Sequence, residues 1–156
     1  MFHVIDDTDA ICKIVTAMLK QQGYEAISFG CPKDYLSFVN SPDFSNPIAV
    51  FTDVGMPAMT GYEMIGIVSE LKPGLKFVVM TGEPEIRSEH VNKACMYLAK
   101  PFTLASLLKV LRSIIQCHDF SPDYDHRCTS ADNRRLFPIK SWSCPQKSKG
   151  CPSNCS

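Results

Sequence analysis

Long hydrophobic runs are missing from this sequence of 156 residues, and so is an excess of charge of either sign. No apolar stretch approaches the ~20 residues that a membrane-spanning helix needs. The first residues lack the basic start and apolar core of a secretory signal, so we expect neither a membrane protein nor an exported one. The 16 basic and 16 acidic residues balance, whereas non-specific nucleic-acid binding needs an excess of cations. We therefore expect no direct DNA binding.

Cysteines are distributed unevenly and divide the chain into two parts. Three of the eight lie within residues 1–116, and five lie within residues 117–156. The formal charge changes at the same place, because the second part has six basic and four acidic residues, a net +2. The sequence therefore predicts a globular domain over residues 1–116 and a short, irregular, Cys-rich tail over residues 117–156.

Strand-like and helix-like segments alternate along the first part. Short, mostly apolar runs predict buried strands over residues 2–5, 24–28, 48–52, 75–80 and 95–99. Apolar residues at helical spacing predict helices over residues 8–22, 32–40, 61–71, 84–93 and 103–116. Such alternation predicts an α/β fold, a doubly wound five-stranded parallel sheet with helices on both faces. His3 lies in the first strand, where we expect a hydrogen-bonded core histidine.

Polar residues follow four of the predicted strands. Asp6 and Asp7 follow the first strand, Asp53 the third, Thr81 the fourth and Lys100 the fifth. The carboxyl ends of parallel strands meet at one edge of a sheet, where α/β folds bind ligands. Two carboxylates ~4 Å apart repel by ~4 kcal/mol at an effective dielectric near 20, so cations must offset them. A lysine and a Mg²⁺ ion would do so, and Mg²⁺ suits a phosphoryl ligand.

Four short motifs carry a resemblance to a known family. They are Asp6-Asp7 after a short strand, TDVGMPAMTGYE around Asp53, VVMTG ending in Thr81-Gly82, and YLAKPF with Lys100-Pro101. In this order they resemble the receiver domains of two-component response regulators. The resemblance covers residues 2 to about 116. It implies a flavodoxin-like sheet with strand order 2-1-3-4-5.

The resemblance also implies a phosphoacceptor and a metal site. Asp53 would take a phosphoryl group from a sensor histidine kinase or a histidine phosphotransfer protein, forming an aspartyl phosphate. Asp7 and Asp53 would ligate Mg²⁺ directly, Asp6 would act mainly through water, and the backbone carbonyl of Gly55 would be a further ligand.

A response to the phosphoryl group follows from the same resemblance. Lys100 would pair with the phosphoryl oxygens, and Thr81 would donate its hydroxyl to them. Tyr97 would be an aromatic switch that turns inward when Thr81 moves. The surface near residues 83–100 would then change shape, and a downstream protein partner would read it.

The resemblance implies a cytoplasmic signalling protein rather than an enzyme. The domain would accept a phosphoryl group and could hydrolyse it by itself, with no separate catalytic output domain. A hydrolase of the haloacid-dehalogenase type also forms an aspartyl phosphate, but it requires an Asp-x-Asp motif. Asp53-Val54-Gly55 lacks the second acid.

Seven possible metal ligands lie in the predicted tail. They are Cys117, His118, His126, Cys128, Cys144, Cys151 and Cys155. The number exceeds the four ligands of a structural zinc site, but the spacings match no zinc motif. Three interpretations stay open: a flexible tail, a metal-bound tail with Zn²⁺ before an iron–sulfur cluster, and redox-linked disulfide chemistry.

Two classes of function therefore compete. The first is a phosphorylatable signalling module that binds a partner or passes its phosphoryl group along a relay. The second is a metal- or redox-sensing protein in which the receiver only supports the Cys-rich tail. The complete set of acidic, hydroxyl and lysine positions favours the first class, because a mere scaffold would not require all of them.

Overall fold

A five-stranded parallel sheet forms the centre of the structure, a computed structural model that describes residues 1–83 and 85–119. The strands are β1 (Phe2–Ile5), β2 (Ala26–Phe29), β3 (Val50–Asp53), β4 (Phe77–Thr81) and β5 (Met96–Ala99). They lie side by side in the order β2-β1-β3-β4-β5. The doubly wound sheet and the strand order 2-1-3-4-5 are therefore confirmed.

Four helices accompany the sheet in the described part of the chain. They are α1 (Asp9–Gln21), α2 (Pro32–Val39), α3 (Gly61–Leu71) and α4 (Leu104–Asp119). A capping box starts α3, since Thr60 and Glu63 each accept a hydrogen bond from the other's backbone N–H. Helix α4 continues past residue 116, and the division of the chain at residue 117 stays a prediction. Within residues 1–83 and 85–119, every helix is too short or too polar to cross a bilayer.

The helices cover both faces of the sheet because side chains alternate along each strand. Phe2 and Val4 of β1 point toward α1 and α4, where they join one apolar cluster. Ile5 points to the opposite face and joins a second cluster with residues of α2 and α3. All four residues of β1 are buried, which explains the continuous apolar run in the sequence.

The helix predicted over residues 84–93 is wrong for its described part. Residues 88–93 form turns instead, with backbone hydrogen bonds from His90 to Arg87 and from Lys93 to His90. Val91 and Ala94 are the only buried residues between 85 and 94, too few to hold a helical face on the sheet. Ser, His, Val and Asn also have low helix propensity, so the local sequence does not make up for the missing apolar face.

His3 is a core histidine, as predicted. Its Nδ1 lies 3.1 Å from the Tyr35 hydroxyl oxygen, and its ring has edge contacts with Phe29, Phe38 and Phe44. Its Nε2 has no hydrogen-bond partner among the residues described. Burial, helped by the positive amino terminus, lowers the pKa of His3 to about 4. The imidazole is therefore neutral in the folded chain at neutral pH.

We expect stability to depend on pH through His3. The unfolded chain protonates this histidine below its ordinary pKa of 6.5, whereas the folded chain does so only near pH 4. Its contribution is therefore intact above pH 6.5 and falls by about 3 kcal/mol as the pH drops to 4. Urea unfolding of the native chain and of His3→Phe, at pH 7.5 and at steps down to about pH 4, measures this.

The His3→Phe variant keeps the aromatic contacts but cannot titrate. Carboxylates contribute equally to both curves, so the difference between the two chains isolates the imidazole. Parallel curves across this pH range would contradict the burial effect on His3.

Candidate functional site

One lysine joins two carboxylates at the carboxyl edge of the sheet. The Nζ of Lys100 donates to Oδ2 of Asp6 and to Oδ1 of Asp53, and both distances are 2.6 Å. Asp6 directly follows β1, Asp53 ends β3, and Lys100 directly follows β5. The backbone N–H of Lys100 also donates to the carbonyl of Thr81, which ends β4. The structure thus brings together four of the predicted site residues.

The charges of this site are largely removed from water. Asp6 is fully buried, Asp53 is 8% exposed, and 21% of the Lys100 side chain is exposed. Burial alone lowers the pKa of Lys100, and this is the largest single effect on it. The hydrogen bonds and charges of Asp53 and Asp6 together outweigh burial and raise that pKa above its ordinary value. Lys100 is therefore a stable ammonium that offsets two buried negative charges.

Local backbone turns orient the two carboxylates. Asp53 Oδ2 accepts a hydrogen bond of 2.8 Å from the N–H of Gly55, and Asp6 Oδ1 accepts one of 2.9 Å from Thr8. In both cases the aspartate accepts a hydrogen bond from the backbone N–H two positions on, an arrangement that Asp and Asn favour in turns. The Thr52 hydroxyl donates to the Asp53 carbonyl at 2.9 Å. Each carboxylate oxygen is thus held by one described hydrogen bond.

The site residues fit a hard cation such as Mg²⁺. An oxygen of a carboxylate has two lone pairs, so the single bonds described for Asp6 and Asp53 leave acceptor capacity. Asp7, next to Asp6 in the chain, and Gly55, two residues after Asp53, are both exposed. Within residues 1–83 and 85–119, no three Asp, Glu, His or Cys side chains form a metal-binding group. Mg²⁺ needs only one or two protein carboxylates because it keeps several waters.

Thr81 and Tyr97 lie toward one face of the sheet. Thr81 is 1% exposed, and its Oγ1 accepts a hydrogen bond from the N–H of Glu83 at 3.0 Å. Tyr97 pairs with Val79, two residues before Thr81, so all three side chains share the α2–α3 face. Tyr97 is fully buried, which raises its pKa, and its hydroxyl donates to the carbonyl of His90. The aromatic ring is therefore already inward in this structure.

The first residue of α3, Gly61, lies very close to the backbone of Asp53. The sequence analysis did not predict this contact. A Cβ added at Gly61 would lie 2.0 Å from the Asp53 carbonyl oxygen, a distance at which backbone must move. The Gly61 N–H also donates to the Val54 carbonyl at 3.0 Å. The motif contains this glycine, but only the tertiary contact reveals why a side chain is excluded there.

The predicted tail ligands fall mostly beyond the described part of the chain. Cys117 and His118 lie in the last turn of α4. His126, Cys128, Cys144, Cys151 and Cys155 lie outside the described residues. The Zn²⁺ site and its alternatives in the tail therefore stay predictions.

Comparison with known proteins gives a consistent assignment. Residues 2–112 match the family described as the response regulator receiver domain. This chain belongs to that family. The match extends over the whole sheet and the first nine of the 16 residues of α4, so the motif residues stand in their expected structural setting. The receiver fold and the membership in two-component signalling that the sequence predicted are thus confirmed.

Individual relatives agree with this receiver assignment. FixJ of Rhizobium meliloti, a transcriptional regulatory protein, is 30% identical over 84 residues, which are 54% of this chain and 40% of FixJ. The chemotaxis response regulator CheY4 of Vibrio cholerae has 25% identity and a TM-score of 0.62, covering 72% of this chain and 96% of that one. The BeF3-activated receiver domain of DrrB has 28% identity and a TM-score of 0.60, covering 74% and 96%. The chain spans less than half the length of FixJ.

A methyl group at residue 61 tests the contact between α3 and Asp53. We expect Gly61→Ala to destabilise the receiver by about 2 kcal/mol, because the backbone carbonyl in its way cannot rotate aside. Gly66→Ala in the same helix is the matched control, since nothing lies within 4 Å of a Cβ there. That variant should gain up to about 1 kcal/mol from helix propensity. Urea unfolding measures both, and equal effects would contradict the close-contact interpretation.

Removing the ammonium tests the charge balance of the site. We expect Lys100→Gln to cost about 3 kcal/mol, because two buried carboxylates would face each other uncompensated. Millimolar Mg²⁺ should restore part of this loss and stabilise the variant more than the native receiver. Lys13→Gln is the control, because Lys13 forms an ion pair of the same 2.6 Å length with Asp9 on the exposed surface. Thermal unfolding with and without Mg²⁺ measures these effects, and equal losses in both variants would contradict the assignment.

Proposed function

We propose that this receiver is a phosphoacceptor whose reactive group is the carboxylate of Asp53. The observation that carries the proposal is the Lys100 ammonium, which lies 2.6 Å from Asp53 Oδ1 and from Asp6 Oδ2. An ammonium in this position neutralises the carboxylate before reaction and can pair with phosphoryl oxygens afterwards. Although Asp53 is buried, 12% of its side chain still reaches the surface, where a donor can approach it.

The phosphoryl donor that this chemistry fits is a phosphohistidine of a sensor kinase or a phosphotransfer protein. An Asp53 oxygen attacks the phosphorus, an O–P bond forms, and the N–P bond of the donor breaks. Its electron pair returns to the imidazole nitrogen, which a proton from solvent neutralises. The product is an aspartyl phosphate, a group with more negative charge and more acceptor oxygens than the carboxylate it replaces.

Asp7, Asp53 and the Gly55 carbonyl would hold a Mg²⁺ ion here, with Asp6 acting mainly through water. When bound, Mg²⁺ supplies positive charge to the phosphoryl oxygens during transfer. The acceptor capacity of Asp6 and Asp53 and the exposure of Asp7 and Gly55 support this set. The BeF3-activated form of the related DrrB receiver domain supports the same chemistry, because BeF3 imitates a phosphoryl group.

The readout of phosphorylation would pass through Thr81 and Tyr97. The Thr81 hydroxyl now accepts from Glu83 and would turn to donate to the phosphoryl group. Because Tyr97 packs on the same face of the sheet, such a move changes the space around its ring. The surface near residues 83–100 would then favour one partner over another.

The partners of the whole protein follow from its role as a receiver. We propose a histidine kinase or phosphotransfer protein upstream and a protein partner downstream, both in the cytoplasm. FixJ is a transcriptional regulatory protein, but this chain matches less than half of it, so its regulatory activity does not transfer. The absence of direct DNA binding stays a prediction that rests on the balanced charge.

Phosphorylation with a small-molecule donor tests the proposal directly. Incubated with Mg²⁺ and acetyl phosphate, the native chain should gain the mass of one phosphoryl group, and Asp53→Asn should gain none because an amide is not a nucleophile. Asp9→Asn is the matched control, since Asp9 is an exposed acid at the start of α1. Intact-protein mass spectrometry reads the result. An unmodified native chain, or equal labelling of Asp53→Asn, would overturn the assignment.

A further inference from the structure

Two stacked rings fasten the β4–β5 connection, residues 85–95, to helix α3. The rings of Tyr62 and His90 have centroids 3.9 Å apart and planes inclined by 13°. Tyr62 is the second residue of α3 and is only 3% exposed. His90 lies in the middle of the connection, between the two turns described above. This ring pair therefore holds a segment that has no helix of its own.

The backbone of the same histidine holds Tyr97. The carbonyl of His90 accepts the hydrogen bond of the Tyr97 hydroxyl, while the side chain of His90 stacks on Tyr62. A shift of His90 away from α3 would therefore withdraw the acceptor from Tyr97 as well. Two contacts of different kinds, one through the ring and one through the backbone, depend on a single position.

The stacked arrangement leaves two polar atoms unsatisfied. The Tyr62 hydroxyl and the Nδ1 of His90 are buried and have no hydrogen-bond partner among residues 1–83 and 85–119. Such atoms cost free energy, and opening of the connection would return both to water. The closed state is therefore held by the ring contact, by the Tyr97 bond and by the burial of Val91 and Ala94, against the cost of the two unsatisfied atoms. The segment has few buried residues, and the cost of its unsatisfied atoms offsets part of the contacts that hold it. Such a segment can exist in two arrangements of similar free energy.

We propose that the Tyr62–His90 stack is a conformational lock that keeps Tyr97 inward. The inward position of Tyr97 is the signalling arrangement, so the lock sets how often the receiver adopts it. The lock is a property of the fold, whereas its effect on signalling rests on the proposed phosphoacceptor function. Because linkage is reciprocal, a phosphoryl group that favours the inward Tyr97 binds less well when the lock is lost.

Hydrogen exchange without any ligand tests the lock itself. In His90→Ala, which keeps the backbone carbonyl but loses the ring, amides of residues 87–95 should exchange about tenfold faster, while those of β1 and β3 stay unchanged. His90→Phe and Tyr62→Phe keep the stack and remove one unsatisfied atom each, so their amides should exchange as slowly as the native ones or more slowly. Ser88→Ala, an exposed truncation in the same connection, is the control and should change nothing.

Three results would overturn the lock. His90→Ala could leave the exchange of residues 87–95 unchanged, or His90→Phe could accelerate it as much as His90→Ala does. Equal acceleration throughout β1, β3 and the connection would show that the stack stabilises the whole domain instead.

Binding of Mg²⁺ and BeF3, followed by calorimetry, tests the link to signalling. We expect His90→Ala to weaken BeF3 binding about fivefold and His90→Phe to retain native affinity. Equal affinities of the native chain and both variants for BeF3 would overturn the link between the lock and signalling. A native chain that binds no BeF3 would overturn the phosphoacceptor function, while the exchange experiment would still decide the lock.

Discussion

The ion triad of Lys100, Asp6 and Asp53 is the constraint on which the rest of the structure depends. Three strands end at these residues or directly before them, and a charge buried without its partner would cost several kcal/mol. The parallel sheet must therefore keep the carboxyl ends of β1, β3 and β5 within hydrogen-bond distance of one another. The same requirement produces the chemistry, because an ammonium that makes two buried carboxylates tolerable is also placed to receive a more highly charged group.

Helix α3 connects this charged edge with the β4–β5 connection. Its first residue, Gly61, abuts the backbone of Asp53, and its second, Tyr62, stacks on His90. His90 in turn holds Tyr97, whose side chain shares a sheet face with Thr81. A displacement of Asp53 or of Tyr97 would therefore act on packed or hydrogen-bonded atoms at each contact between them. Physical continuity of this kind permits coupling between the charged edge and the connection. The two arrangements that we propose for the connection are the element that such coupling would bias.

Local patterns predicted much of the fold but not all of it. Buried strands appear as apolar runs and amphipathic helices as periodic ones, so five strands and four helices could be predicted near their observed positions. The segment after β4 was mistaken for a helix because a few apolar residues suggested a weak period. The structure shows that this segment contacts remote parts of the chain, among them Tyr62, whose ring stacks on His90. No local rule encodes a partner about 28 residues away along the chain.

By itself, the sequence determined the alternation of strands and helices, the polar residues at the strand ends and the need for positive charge among them. These follow from side-chain chemistry and from periodicity, which are local properties. The strand order came from family resemblance, because the alternation alone allows several orders. Only the tertiary structure decided which carboxylates share Lys100, why residue 61 must be glycine, and that His90 holds Tyr97. Each of these depends on distances between atoms that are remote in the chain, which sequence spacing does not specify.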